Sequence, residues 1–158
     1  MPIFAAMKSQ ITTRLAGTRD RRALVALDPM AEKDLQRRET IDAAIAARRC
    51  WVAEGFGRVV GYGILSRNFF HRDFIEIVFV PEDARRTGAG AAMLSAIERA
   101  VKEDRLFTST NASNAAMRGL LFTCGYRESG RIDNLDPGDP EIVYVKFLER
   151  ANAARARE

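Results

Sequence analysis

The sequence predicts a mixed α/β (α+β) domain: a mostly antiparallel sheet of six to seven strands flanked by about four helices. Three observations carry that expectation. Hydrophobic residues make up 47% and charged residues 29% of the 158-residue chain, which is enough apolar material for a packed core and too much for a disordered chain. In the early part, β-prone runs sit on either side of short turns. Later, strand-like and helix-like runs alternate, the order of a sheet covered by helices.

The elements follow in chain order. Gln10 to Arg14 is a short β-prone piece. Thr18 is a good cap for a helix reaching about Leu27, and Asp28-Pro29 breaks it. Thr40 can cap a second helix carrying Ile41, Ala44, Ile45 and Arg48 at helical spacing. Trp51-Val52-Ala53 reads as a strand, Gly55-Phe56-Gly57 as a hairpin turn, and Val59 to Leu65 as its partner. Phe74 to Val80 is the most strongly β segment, ended by Pro81. A long helix follows Gly90, with Leu94, Ile97, Glu98 and Val101 on one face, and Leu106 to Thr110 is again a strand. Met117, Leu120, Leu121 and Cys124 fall at i, i+3, i+4 and i+7 of a helix from Asn114 to Cys124, with Gly125 at its stop. Tyr126 to Ile132 and Ile142 to Leu148 are the last strands, joined by a turn-rich DPGDP loop. The expected domain is single, with a core over about 11–148 and a tail over 149–158.

Composition removes several function classes. Two cysteines, Cys50 and Cys124, and one histidine, His71, rule out a Cys/His zinc framework and a dense disulfide scaffold. No metal site is expected. A Ser-His-Asp triad could use only His71, and no serine sits in a nucleophile elbow. No apolar run approaches the ~20 residues that span a bilayer, and the opening MPIFAAMKSQ lacks the basic start and long apolar stretch of a secretory signal. The expected setting is the reducing cytoplasm, away from membranes. A net charge of +4 suggests an acidic ligand. Nucleic acid is not expected, because the arginines are spread along the chain without a dense basic run.

The informative stretch is Phe74 to Met93, FIEIVFVPEDARRTGAGAAM. A strand runs into the short loop Arg85-Arg86-Thr87-Gly88-Ala89-Gly90, which opens onto a helix. Glycines let the backbone approach a ligand and turn N–H groups toward it. The helix N-terminus adds a partial positive charge and the two arginines add full ones, so the loop suits a phosphate or pyrophosphate. It is no Walker A loop, since no Lys-Ser or Lys-Thr follows the last glycine. It is a poor dinucleotide fingerprint, because Met93 stands where Gly or Ala is wanted.

Arg85-x-x-Gly88-x-Gly90 after a strand, with an Ala/Leu-rich helix behind it, resembles the acyl-CoA-binding motif of the GNAT acetyltransferases (Arg/Gln-x-x-Gly-x-Gly/Ala). Asn114, with Gly125-Tyr126 eleven and twelve residues later, is similar to the family's Asn-helix-Gly-aromatic segment. The order of elements agrees from about Ile11 to Leu148. The resemblance implies a GNAT fold and acetyl-CoA as acyl donor. It implies that Arg85, Arg86, Thr87, Gly88, Ala89 and Gly90 cradle the CoA pyrophosphate, mostly through backbone N–H groups. Val78 and Val80 would pair their backbone with the pantetheine arm. The Val78 N–H would polarise the thioester carbonyl and stabilise the tetrahedral oxyanion. Asn114 would contact the pantetheine or its neighbourhood. Homodimers are frequent in the family.

The implied reaction is N-acetyltransfer to a primary amine by direct attack, so a proton must leave the ammonium. Strict alternation puts Phe74, Glu76, Val78 and Val80 on one strand face. Glu76 is therefore the candidate general base; its alternatives are binding a substrate ammonium, pairing with an arginine, or facing solvent. Apolar flanks would raise its pKa. Many relatives place a Tyr, the acid for the departing thiolate, seven residues after the Asn; here that position is Leu121, and no general acid is assigned. Tyr126 occupies the position that packs in the core. His71, within Phe69-Phe70-His71-Arg72, reads as an exposed loop residue, and Phe69 and Phe70 as core or pocket wall. The Asn134 to Glu141 segment, with Asp136 and Asp139, is a hairpin loop or a contact for a cationic acceptor. Cys124 is expected to be a buried small hydrophobe. Glu76 and the acidic loop lean toward a small cationic amine or amino acid as acceptor. The alternatives are a protein N-terminal or lysine acetyltransferase, and a non-catalytic acyl-CoA-binding sensor or scaffold.

Overall fold

The computed structural model describes residues 10–149. The leader reading of the first residues and all but Glu149 of the expected tail lie outside that range. The elements are β1 (Thr12–Leu15), a 3₁₀ turn (Thr18–Asp20), α1 (Arg21–Leu27), α2 (Pro29–Lys33), α3 (Leu35–Ala46), β2 (Cys50–Gly55), β3 (Arg58–Phe69), β4 (Arg72–Phe79), a second 3₁₀ turn (Glu82–Ala84), α4 (Ala89–Ala100), β5 (Arg105–Asn111), α5 (Ala115–Thr123), β6 (Arg127–Ile132) and β7 (Glu141–Phe147). The strands form a seven-stranded sheet in the order β1-β2-β3-β4-β5-β7-β6. Four of its ladders are antiparallel (β1 with β2, β2 with β3, β5 with β7, β6 with β7), and β4 with β5 is parallel. Two compact units share the chain: residues up to Leu65 together with Ile77–Ile97, and Ser66–Glu76 together with Glu98 onward.

In the first unit, Leu24, Ala31, Ile41 and Ile45 of the helices pack with Val52, Tyr62, Ile64 and Ile77 of the strands. Asp28 holds the corner. Its Oδ1 accepts from the Met30 N–H at 2.9 Å, capping α2, while Oδ2 accepts from Tyr62 Oη at 2.5 Å and from Arg37 Nε at 3.0 Å. Burial and this carboxylate push the Tyr62 phenol's pKa up. Asp28-Pro29 thus ends one helix and starts another, which adds a helix between the two expected from the sequence. Two other starts differ. Thr18 opens a 3₁₀ turn, with the Gly17 N–H donating to Asp20 Oδ2 at 2.7 Å, and the α-helix begins only at Arg21. Asp34, not Thr40, caps α3 by accepting from the Gln36 N–H, and Thr40 Oγ1 instead donates back to the Gln36 carbonyl within the helix. Arg14 ties β1 to this corner through two hydrogen bonds of 2.8 Å to Asp20 and a contact to Glu54. The Arg14 guanidinium holds the Asp20 carboxyl down at about 2.

In the second unit, β5 alternates with Leu106, Thr108 and Thr110 buried, and Ile142 to Val145 of β7 are buried beside it. Leu121 is the buried residue of α5, and Tyr126 is buried after it. Every residue of β6 is exposed. β3 runs four residues beyond the expected Leu65 and meets β4 through a two-residue link. Its residues Phe70 and His71 have φ of 52° and 61°, the left-handed pair of a tight hairpin turn. His71 is thus exposed, as expected, in the two-residue connection between long strands.

Candidate functional site

The loop between β4 and α4 is built by its backbone. Pro81 ends the strand, Glu82–Ala84 makes one 3₁₀ turn, and Thr87 Oγ1 donates to the Ala84 carbonyl at 2.6 Å, drawing the loop tight. Arg86 and Gly88 have φ of 63° and 89°. Left-handed residues at alternate positions turn successive N–H groups toward one concavity. The Gly88 carbonyl already receives the Ala92 N–H at 3.0 Å, so α4 starts at Ala89, inside the motif and not after Gly90. The amides of Gly88, Ala89, Gly90 and Ala91 therefore precede the first intrahelical bond and lack a helical acceptor. Arg85, Arg86 and Gly88 are exposed, and a Cβ built on Gly88 meets nothing within 4 Å. Four aligned donors, a helix N-terminus and two exposed guanidiniums fit a diphosphate-bearing ligand.

Two glycines that the sequence reading passed over place this loop. A Cβ on Gly63 of β3 would lie 2.8 Å from Met93 Cγ and 2.9 Å from Ile97 Cδ1, so the missing side chain admits α4 onto the strand. A Cβ on Gly61 would lie 2.9 Å from the Phe79 carbonyl oxygen, so β3 passes close against the end of β4. The signal for both was the Gly-Tyr-Gly run inside a strand, where glycine marks close approach.

Along β4, Asp73, Ile75 and Ile77 are buried, while Phe74 and Val78 are half-buried and Glu76 is exposed. That alternation is the one the sequence predicts, and it separates Glu76 from the core. The apolar enclosure expected around its carboxylate is not there: Glu76 lies open to solvent, and its Oε1 accepts from Asn68 Nδ2 at 3.0 Å. The ladder with β5 covers Phe74↔Phe107 and Ile75↔Thr108, and Val78 and Val80 come after its last pair. Both valines are half-buried, in the same compact unit as Arg85 to Gly90.

The remaining candidates belong to the second unit. Asn114 is exposed and caps α5, its Oδ1 accepting from the Met117 N–H at 3.1 Å, so a ligand would meet its Nδ2. Leu121 is fully buried. Tyr126 is 3% exposed, and burial, with the Glu98 carboxylate nearby, raises its pKa. Cys124 is half-buried rather than buried, at the C-terminal end of α5. The acidic loop is pinned to its own unit. Asp136 accepts from Asn111 Nδ2 at 2.8 Å, and Asp139 accepts from the Ser113 N–H at 3.0 Å and Oγ at 2.5 Å. Both carboxylates are thus engaged in holding the loop. Among the described residues no cluster of three or more His, Cys, Asp or Glu could hold a metal, and no helix is long and apolar enough to cross a membrane.

Comparison with known proteins gives this geometry its context. The model of the "Acetyltransferase (GNAT) family" matches residues 20–126, more than half of the chain. The chain belongs to the GNAT acetyltransferase family. Curated proteins offer no match, but solved structures are numerous. A GNAT-family acetyltransferase from Bacillus cereus is 28% identical with a TM-score of 0.83, over 89% of this chain and 99% of that one. A ribosomal-protein-alanine N-acetyltransferase from Brucella melitensis is 24% identical, with a TM-score of 0.71 over 87% and 99% of the two chains. A Bacillus anthracis structure in complex with acetyl coenzyme A is 14% identical, with a TM-score of 0.73 over 87% and 98%. The last two show a shared fold. As a GNAT member the chain is of the acyltransferase class, and acetyl-CoA is the family's acyl donor.

Proposed function

We propose that this GNAT protein transfers an acetyl group from acetyl-CoA to the primary amine of a small cationic acceptor or amino acid. The observation that carries the reading is the loop from Arg85 to Gly90, with two left-handed residues and the opening of α4 inside it. In this reading the amides of Gly88 to Ala91 and the two guanidiniums bind the CoA diphosphate. The backbone of Val78 and Val80 aligns the pantetheine as a surrogate strand, and the Val78 N–H donates to the thioester oxygen as negative charge develops there. Asn114 contacts the pantetheine region. Glu76, steadied by Asn68, takes the ammonium proton directly or through a water, as its exposure allows.

Leu121 supplies no proton, so the leaving thiolate is protonated from solvent. That residue also favours a second reading, an acetyl-CoA-binding protein without turnover. One experiment separates them. Acetyl-CoA is titrated by calorimetry, then CoA thiol release is followed across small amines, amino acids and peptides with free N-termini or lysines. Binding with amine-dependent thiol release supports the transferase, and binding with no release on any acceptor supports the second reading. Absence of binding heat overturns both. Release confined to peptides replaces the small acceptor with a protein one.

A further inference from the structure

Four phenylalanines gather around the turn between β3 and β4, outside the loop proposed to bind acetyl-CoA. Phe69 stacks on Phe74 with ring centroids 5.0 Å apart and 25° between planes, lies 5.3 Å from Phe107, and meets Phe70 edge-on at 5.0 Å. None of the four is buried, and Phe70 is 84% exposed. Aromatic rings gathered this closely ordinarily close a core. Here Phe70 stands in solvent and the other three rings are half-buried, a partly open platform.

Two further observations show that the platform is held at a cost. The turn that presents Phe70 places both Phe70 and His71 at positive φ, where Asn-Gly would be relaxed. Strain of this kind persists where the surroundings enforce it, and it concentrates at ligand sites. The surroundings do enforce it: Arg67 donates to the His71 carbonyl at 2.7 Å and to Glu103 at 2.9 Å, and Arg72 reaches the same Glu103. A negative charge completes the arrangement. Glu76 follows Phe74 by two positions on β4 and shares its less-buried alternate set, and its Oε1 accepts from Asn68 Nδ2. Two positions along a strand span about 7 Å, the reach of an ammonium on a two- or three-carbon chain from its ring.

We propose that Phe69, Phe70, Phe74 and Phe107 are specificity residues that, with Glu76, select arylalkylamines as acceptors. This rests on the acetyltransfer reading above. The acceptor's ring lies against Phe70 and the accessible parts of the half-buried rings, and its ammonium meets the carboxylate, so the same amine is drawn by apolar contact and by charge. Aliphatic polyamines would satisfy Glu76 and leave the rings in water.

The test compares 2-phenylethylamine, an aliphatic diamine and an alanine-starting peptide with acetyl-CoA, in the parent protein and in Phe70→Ala and Phe74→Leu. Phe70 is so exposed that its replacement leaves the fold intact. The expected result is the lowest KM for 2-phenylethylamine, raised roughly tenfold by Phe70→Ala with kcat and the KM for acetyl-CoA unchanged. Equal or better use of the diamine or the peptide, or KM values that move less than twofold in both variants, overturns the proposal while leaving acetyltransfer standing. Saturation-transfer NMR of 2-phenylethylamine on the CoA-loaded protein supplies a readout without turnover. Signal lost in Phe70→Ala with no thiol release on any amine keeps the aromatic selection and removes the transferase reading; no signal in the parent protein removes the selection.

Discussion

At the scale of single residues, the titratable groups divide by what faces them. Asp20 sits near 2 because Arg14 and the Gly17 amide stabilise its charged form. Its unfolded value is near 3.8, so its stabilisation is fully present above about pH 4 and is lost as the pH falls toward 2. The shift corresponds to about 2 kcal/mol. Asp20→Asn should therefore lower Tm at pH 7 and leave it nearly unchanged near pH 2, measured by thermal melts across pH. Burial pushes the Cys50 thiol up to about 12; native alkylation followed by mass spectrometry should leave Cys50 unmodified until the protein unfolds. Glu76 is the residue whose chemical part matters most. Glu76→Gln should lower kcat about 100-fold or more and leave acetyl-CoA affinity intact, because the carboxylate lies outside the diphosphate loop. Parental turnover in that variant across pH would remove Glu76 as the base.

Elements place the loop that the residues then decorate. Gly63 lets α4 seat on β3, and the first turn of α4 carries the amides proposed to bind diphosphate. Gly63→Ala puts a methyl against Met93 and Ile97, an overpacking worth about 1–3 kcal/mol. Both Tm and acetyl-CoA affinity should fall, seen together in melts and calorimetry; loss of stability with unchanged affinity would show that the helix start does not position the ligand. The same helix shows where sequence was legible and where it was not. Its apolar spacing is plain, and so is the glycine pattern before it. Its first residue is not, because the residue before it, Gly88, has no side chain with which to cap the helix and only its carbonyl marks the start, accepting the Ala92 N–H. Likewise Thr40 has the chemistry of a cap, yet Asp34, accepting from the Gln36 N–H, starts α3 six residues earlier. The turn at Phe70-His71 carried no glycine or asparagine, so nothing local announced it.

For the molecule as a whole, fold class and family were readable because they follow from hydrophobic periodicity and one glycine-arginine loop, whereas the strand order was not read from the sequence. Nor was the exposure of Glu76, since it depends on which rings and strands surround β4. Binding to the folded state alone must raise its stability. Acetyl-CoA at 100 times its Kd should add about 2.7 kcal/mol and raise Tm by about 5–10 °C, a shift that the double variant Arg85→Ala/Arg86→Ala should largely abolish. Asp28 has a different reach. One carboxylate caps α2, anchors Arg37 of α3 and receives the phenol of β3, so those segments cannot open one at a time without stranding a charge away from water. Deuterium uptake over Arg21–Ala46 and the middle of β3 should therefore proceed as a single block, a cooperative shell whose protection comes from one oxygen-rich knot rather than from the length of any helix.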